Sequence, residues 1–404
     1  MGYMSVICCG EVGNAAFIGC GGEVKLLNDC GELKRFTFPP VTTAKHPTKA
    51  NGEEAGDEPQ ERDEQSSGRV LGVCVSPSGR LVAALNDHKT ACVWRAEDGG
   101  RLASWQTTRK GSCLTFSRDE QALLVADKSG DVYKCQLGEP ETKPQLILGH
   151  ICMVLDMCVT GDGRHLLTSD RDEKVRVTRY PNTWSIAAYC LGHTEFVSAL
   201  CLTAAGRLVT GGGDMTVRLW DPESGRQLAC CPVTAEGSDS SNSEQKVAVV
   251  SIVAVQAGED SLLVVRVHSW SRLVVLSVSC DSLTPRPDLE GALRQPAAPW
   301  AVAAAADRLL VLRPDPEAPL VEYRAAADGR LTLQPAGARA TAAARLCTEL
   351  KETFEVPEEV TWLFKQWFDN VADYKSKKEE RLRGEKKTKT SEESSPKRLK
   401  SAPE

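Results

Sequence analysis

Gly192-His193-Thr194-Glu195-Phe196-Val197-Ser198, followed by Arg207-Leu208-Val209-Thr210-Gly211-Gly212-Gly213-Asp214 and by Val217-Arg218-Leu219-Trp220-Asp221, is the clearest of several related passages in this chain. It lies in a stretch, 148–231, that holds the same pattern twice. The earlier copy opens on Gly149-His150 and passes through an apolar run at 154–159. It continues as Gly163-Arg164-His165-Leu166-Leu167-Thr168 and Asp172-Glu173-Lys174-Val175-Arg176-Val177. The two Gly-His pairs are 43 residues apart. In both copies short β-branched runs are separated by Gly- and Asp-bearing turns, which reads as strands joined by tight hairpins.

A period of about forty residues that opens on Gly-His and closes on Trp-Asp resembles the WD repeat, one four-stranded blade of a β-propeller. Fainter copies extend the series. Val73-Cys74-Val75-Ser76-Pro77-Ser78-Gly79 leads to Val93-Trp94, and Cys113-Leu114-Thr115-Phe116 leads to Val132-Tyr133. Aligning Trp94, Lys134, Thr178 and Trp220 gives intervals of 40, 44 and 42. The N-terminal strands at 15–18 and 24–27 supply one more blade, and apolar runs at 247–278 and 300–323 two further ones. The expectation is an all-β, seven-bladed WD40 propeller over 1–340, closed by pairing an N-terminal strand with the last blade. Gly19-Cys20-Gly21-Gly22 precedes an alternating strand pattern and not a helix, so it reads as a hairpin turn and not a phosphate loop.

With 404 residues, one propeller and its tails account for the length. Sixteen cysteines are dispersed through apparent strands, with no C-x-x-C pair, which favours buried thiols over disulfides or structural zinc. No apolar run reaches the roughly 20 residues of a spanning helix, and the first residues lack the pattern of a signal peptide. The net charge of −6 is uneven: residues 373–404 hold 11 Lys/Arg against 7 Asp/Glu, which leaves −10 on the remainder. An acidic, Pro- and Ser-bearing segment at about 40–68 reads as a disordered surface insertion, and a polar break falls at 236–245. Beyond 340 the pattern turns helical to 384, with Trp362, Phe364, Trp367 and Phe368 crowded in one run that the propeller rim or a partner must cover. Residues 385–404 read as a disordered basic tail.

His193, Thr210, Asp214 and Trp220 recur at fixed offsets, as do His150, Thr168 and Asp172, so a structural hydrogen-bond network explains them. No nucleophile accompanies either His/Asp pair, and there is no P-loop, H-E-x-x-H or nucleophile elbow. Catalytic, cofactor-binding and metal sites are therefore expected to be absent. Recognition should lie in loop residues that the blade pattern does not require. The charged turn from Ser169 through Asp170, Arg171, Asp172, Glu173 and Lys174 to Arg176 is one such place, and Asp127-Lys128-Ser129 is its counterpart one blade earlier.

These residues carry a closer resemblance. Leu124-Val125-Ala126-Asp127-Lys128-Ser129-Gly130-Asp131-Val132-Tyr133, the passage from Thr168 to Lys174, Cys190-Leu191-Gly192-His193-Thr194-Glu195-Phe196-Val197-Ser198, and Phe368-Asp369-Asn370-Val371 with the basic run after it are similar to the non-catalytic WD-repeat subunits of tRNA guanine-N7 methyltransferase. The resemblance implies a heterodimer whose separate Rossmann-type subunit binds S-adenosylmethionine and methylates a guanine in the tRNA variable loop. It places partner contacts on Arg176, Lys174, Asp172, Arg171 and Lys128. Asp172 could instead be fully engaged in its own turn. For tRNA, Arg109 and Lys110 with Lys375, Lys377, Lys378 and Arg381 are the candidate phosphate contacts. The clusters Lys386-Lys387-Thr388-Lys389 and Pro396-Lys397-Arg398-Leu399-Lys400 look like a bipartite nuclear import signal, so a nuclear protein is expected. The competing reading is a generic nuclear WD40 adaptor, for instance a ubiquitin-ligase substrate receptor.

Overall fold

A computed structural model describes residues 7–9, 15–40, 68–234, 246–258, 260–346 and 360–365. They form seven four-stranded antiparallel sheets, in sequence order at 7–37, 70–106, 111–149, 154–191, 197–232, 249–285 and 301–333. Neighbouring strands in each sheet are neighbours in sequence, because hairpins are the cheapest way to pair short strands. The first strands of successive sheets lie side by side around a ring, and the first strand of the seventh, Ala301–Ala305, returns to that of the first, Ile7–Cys9. This is the expected seven-bladed propeller. The acidic segment at 41–67, the polar break at 235–245 and the basic residues from 366 onward lie outside the described residues.

Each blade is covered on both faces by its neighbours, so its middle strands are apolar on both sides. The strand Ala122–Asp127 is buried throughout. Between blades four and five, Leu167, Val175, Val177 and Cys190 interlock with Val197, Leu200, Leu208 and Trp220. The equivalent third-strand positions of blades two to five, each in its own inter-blade seam, are Trp94, Cys135, Thr178 and Trp220, which pair with Val82, Leu123, Leu166 and Leu208. Cys135 therefore replaces Lys134 in the sequence alignment. It is buried while Lys134 is partly exposed, and strand alternation allows only one of two adjacent residues to face the core.

Closure differs from the expected strand exchange. Among the described residues the first and seventh blades each hold four strands of their own, with none shared. A helix, Ala338–Ala344, wedges between them: Ala342, Ala343 and Leu346 join Ile18 and Leu27 of blade one and Leu310, Leu312 and Leu320 of blade seven in one cluster. The buried Arg339 spans the joint, donating to Glu322 of blade seven at 3.0 Å and to Asp29 of blade one. This side-chain packing and the Arg339 bridge join the two blades. The Gly19–Gly22 passage forms the expected hairpin, with Gly21 at φ 57°, where a side chain would strain the turn. The helical segment expected from Val360 is, over its described part, a single 3-10 turn, Thr361–Leu363.

Candidate partner interface on blade four

Blade five shows what the repeat needs for itself. The buried His193 bonds through Nδ1 to Asp214 at 2.9 Å and through Nε2 to Thr210 at 2.6 Å, and Trp220 Nε1 donates to the same threonine at 2.8 Å. Burial pushes the Asp214 carboxyl upward. The His193 hydrogen bond and charge, with Thr216 and the Thr194 N–H, outweigh it and hold the carboxyl below its ordinary value. The assigned structural roles of His193, Thr210, Asp214 and Trp220 fit this geometry.

In blade four the same network forms around Asp170, not Asp172. His150 Nδ1 lies 3.1 Å from Asp170 and Nε2 lies 2.8 Å from Thr168. Asp170 also accepts the backbone N–H groups of Asp172 and Lys174 at 2.9 and 3.3 Å. Asp127, at the same position one blade earlier, takes the N–H two residues on in the same way, and Asp214 does so from two positions further along its turn. A residue at positive φ completes each turn: Gly130 at 96°, Glu173 at 70° and Met215 at 54°. These hydrogen bonds offset the roughly 1–2 kcal/mol strain of a left-handed L residue. Because Asp170 occupies the turn, Asp172 is free of it and half-exposed. Its carboxylate takes a hydrogen bond from the Cys152 thiol, which, after burial, helps raise that thiol's pKa.

The other expected contacts are dispersed. Lys174 is exposed. Arg176 is half-exposed and donates to Thr178 Oγ1 and to the Gly149 carbonyl, each at 3.0 Å. Arg171 turns to its own chain, donating to the carbonyls of Trp362 and Leu363 at 2.9 and 3.1 Å. Lys128 is exposed, and its N–H donates to the Lys110 carbonyl, which sets Arg109 and Lys110 beside it on one rim. Lys89 joins them: its carbonyl accepts the Thr107 N–H, and the Thr107 hydroxyl donates to Arg109 O. Lys375, Lys377, Lys378 and Arg381 lie outside the described residues.

One feature escaped the sequence reading. Of the nine exposed large hydrophobics among the described residues, six fall between Leu146 and Leu191. Ile151 is 98% exposed, Leu191 62% and Tyr189 42%. Tyr189 pairs across the sheet with Arg176, and Leu191 with Lys174, so apolar and cationic side chains share one face at the edge of blade four. The signal was present in Ile186-Ala187-Ala188-Tyr189-Cys190-Leu191, an outermost strand without a polar residue. Recognising it required knowing that this strand is outermost.

The fold and this edge define the class: a WD40 propeller whose His150 and His193 are engaged within their own blades and whose blade-four edge carries a mixed apolar and basic surface. Solved propellers match it as folds, including a chain of a mitotic checkpoint complex at TM-score 0.57 and 17% identity, over 82% of this chain and 86% of that one. The β-propeller domain of Cps50 (Swd1) from Myceliophteria thermophila matches at TM-score 0.57 and 12% identity, over 78% of this chain and 93% of that one. The family model described as the tRNA methyltransferase TRM82 WD40 domain matches residues 34–144 and 136–291. Relatives named tRNA (guanine-N(7)-)-methyltransferase non-catalytic subunit include one from Danio rerio, 33% identical over 90% of this chain and 89% of its own length. Another, from Mus musculus, is 34% identical over 85% of this chain and 83% of its own. The chain belongs to this family of non-catalytic WD-repeat subunits of tRNA (guanine-N(7)-)-methyltransferase, and a separate catalytic partner is implied.

Proposed function

We propose that this subunit seats the catalytic methyltransferase subunit against the edge of blade four and presents the loops of blades two and three to tRNA. The observation that carries the docking half is the concentration of exposed apolar side chains beside Lys174 and Arg176. Such an edge fits a partner that is apolar with an acidic border, in which Asp172, Lys174 and Arg176 set register by charge. Arg109, Lys110 and Lys128, joined by Lys89, offer cations at the spacing of backbone-linked loops, suited to phosphates irrespective of base. Lys375, Lys377, Lys378 and Arg381 add to that contact in this reading. S-adenosylmethionine binds to the catalytic subunit, and N7 of a guanine in the tRNA variable loop is the target. The basic clusters of 385–404 direct the assembled pair to the nucleus.

Mixing the purified subunits with tRNA tests this. Methylation should rise well above that of the catalytic subunit alone. Arg109→Glu with Lys110→Glu should lower tRNA affinity about tenfold and flatten its salt dependence, while the two proteins still co-purify. A pair that forms without gain in methylation overturns the reading. Imaging the protein with 385–404 removed tests the nuclear part, which fails if the truncated protein stays nuclear.

A further inference from the structure

We propose that Trp362 belongs to the surface on which the catalytic subunit docks, and that Arg171 is the positioning residue that holds it there. This rests on the docking reading above and extends it to a segment almost two hundred residues away in sequence. Val360, Leu363 and Phe364 anchor that segment by burial among Leu155, Phe196, Ala248 and Val250, with Phe364 meeting the Phe196 ring edge-on at 5.0 Å. Trp362 packs against the margin of the same cluster and keeps part of its surface open, with the Arg171 guanidinium 5.9 Å from its ring centroid.

Arg171 is thereby fully committed. Its Nε and Nη2 donate to the carbonyls of Leu363 and Trp362, and its Cζ lies over the indole ring. A guanidinium so engaged does not present its charge to a partner. It presents an aromatic side chain instead. The three apolar anchors already hold the segment to the propeller, and the indole beside them leaves part of its surface open. Arg171 adjoins Asp172, and the rim runs on from there through Lys174 to Tyr189 and Leu191, so Trp362 extends the docking surface from the edge of blade four over its turn. A protein interface of standard size, about 800 Å² on each side, covers such a span. A half-exposed tryptophan beside an arginine is the residue type that dominates binding when a partner closes over it.

The experiment is a dissociation-constant series against the catalytic subunit. Trp362→Ala is expected to weaken the pair about thirtyfold, chiefly through faster dissociation and with an unchanged salt dependence. Arg171→Ala should match it, and the two together should lose little more than either, because both remove one contact. Arg171→Lys should not rescue, since a point charge cannot cap two carbonyls and cover a ring. Hydrogen exchange on the unaltered protein is a second measure: the amides of residues 360–365 should slow when the catalytic subunit binds. Wild-type affinity for Trp362→Ala, or unchanged exchange on binding, would overturn the proposal. If variants at Tyr189 and Leu191 weaken binding while Trp362→Ala does not, this extension alone fails; if all of them bind normally, the rim reading fails with it.

Discussion

In blade five Trp220 fills the buried third-strand position and gives its indole N–H to Thr210. In blade four Thr178 stands there, and its hydroxyl takes the Arg176 guanidinium instead. Arg218, the blade-five counterpart of Arg176, pairs at 3.6 Å with Asp214 and bonds to Gln227 at 2.7 Å. Its outer strand, Arg226–Pro232, places Cys230 and Pro232 where blade four has Tyr189 and Leu191. The two blades share strand register and a His-Asp-Thr network, with the network carboxylate two positions later in blade five, at Asp214. Once the network and inter-blade packing are satisfied, the outer edge is energetically free to vary, and blade four uses that freedom for an apolar and basic surface.

The comparison breaks first at the shared network. His193→Ala should destabilise the propeller by about 3 kcal/mol, because it opens a buried cavity and removes one of the hydrogen bonds that hold the Asp214 carboxylate. Denaturant titration measures this, and a loss below about 1 kcal/mol would show that the network is dispensable. It breaks next at the edge. Replacing Tyr189 and Leu191 together by serine and threonine should weaken the catalytic-subunit complex about tenfold while changing unfolding free energy by less than about 0.5 kcal/mol. Equal losses in stability and affinity would make these side chains part of the fold.

A smaller, pH-dependent effect sharpens the seam between the two blades. Asp156 on the inner strand of blade four accepts the N–H groups of Met157 and of Leu200 in blade five, each at 2.8 Å. Burial, outweighing those two hydrogen bonds, raises its carboxyl to about 7. The folded state thus holds this proton more tightly than the unfolded chain does. Its contribution is greatest below the ordinary carboxylate range and declines as pH rises towards 7. Asp156→Asn should therefore become relatively more stable than the parent between about pH 4 and pH 7 in thermal melts. A pH-independent difference would place the Asp156 titration elsewhere.

Much of the fold was legible because blade strands are local and repetitive. Gly149-His150, Gly192-His193 and Trp220 marked the period, and turn chemistry marked the hairpins. Errors arose where one residue of register or one distant contact mattered. Asp170 and Asp172 both suit a turn carboxylate, and only the geometry of His150 selects between them. Cys135 and Lys134 are adjacent, and inter-blade packing decides which is buried. Arg171 looked like a rim charge because nothing local links it to Trp362, 191 residues away. Ring closure by the helix Ala338–Ala344 was equally hidden, since a short alanine-rich run has no period that announces a wedge.

The sequence by itself determined the seven-bladed propeller and the structural use of His150 and His193 within its blades. These follow from short-range spacing, which sets strand period and turn type. The tertiary structure decided which surfaces remain. It placed Tyr189 and Leu191 on an outer edge, gathered Lys89, Arg109, Lys110 and Lys128 on one rim, and brought Trp362 under Arg171. Exposure and long-range contact depend on what packs against a side chain, and that is fixed only when the ring of blades has closed.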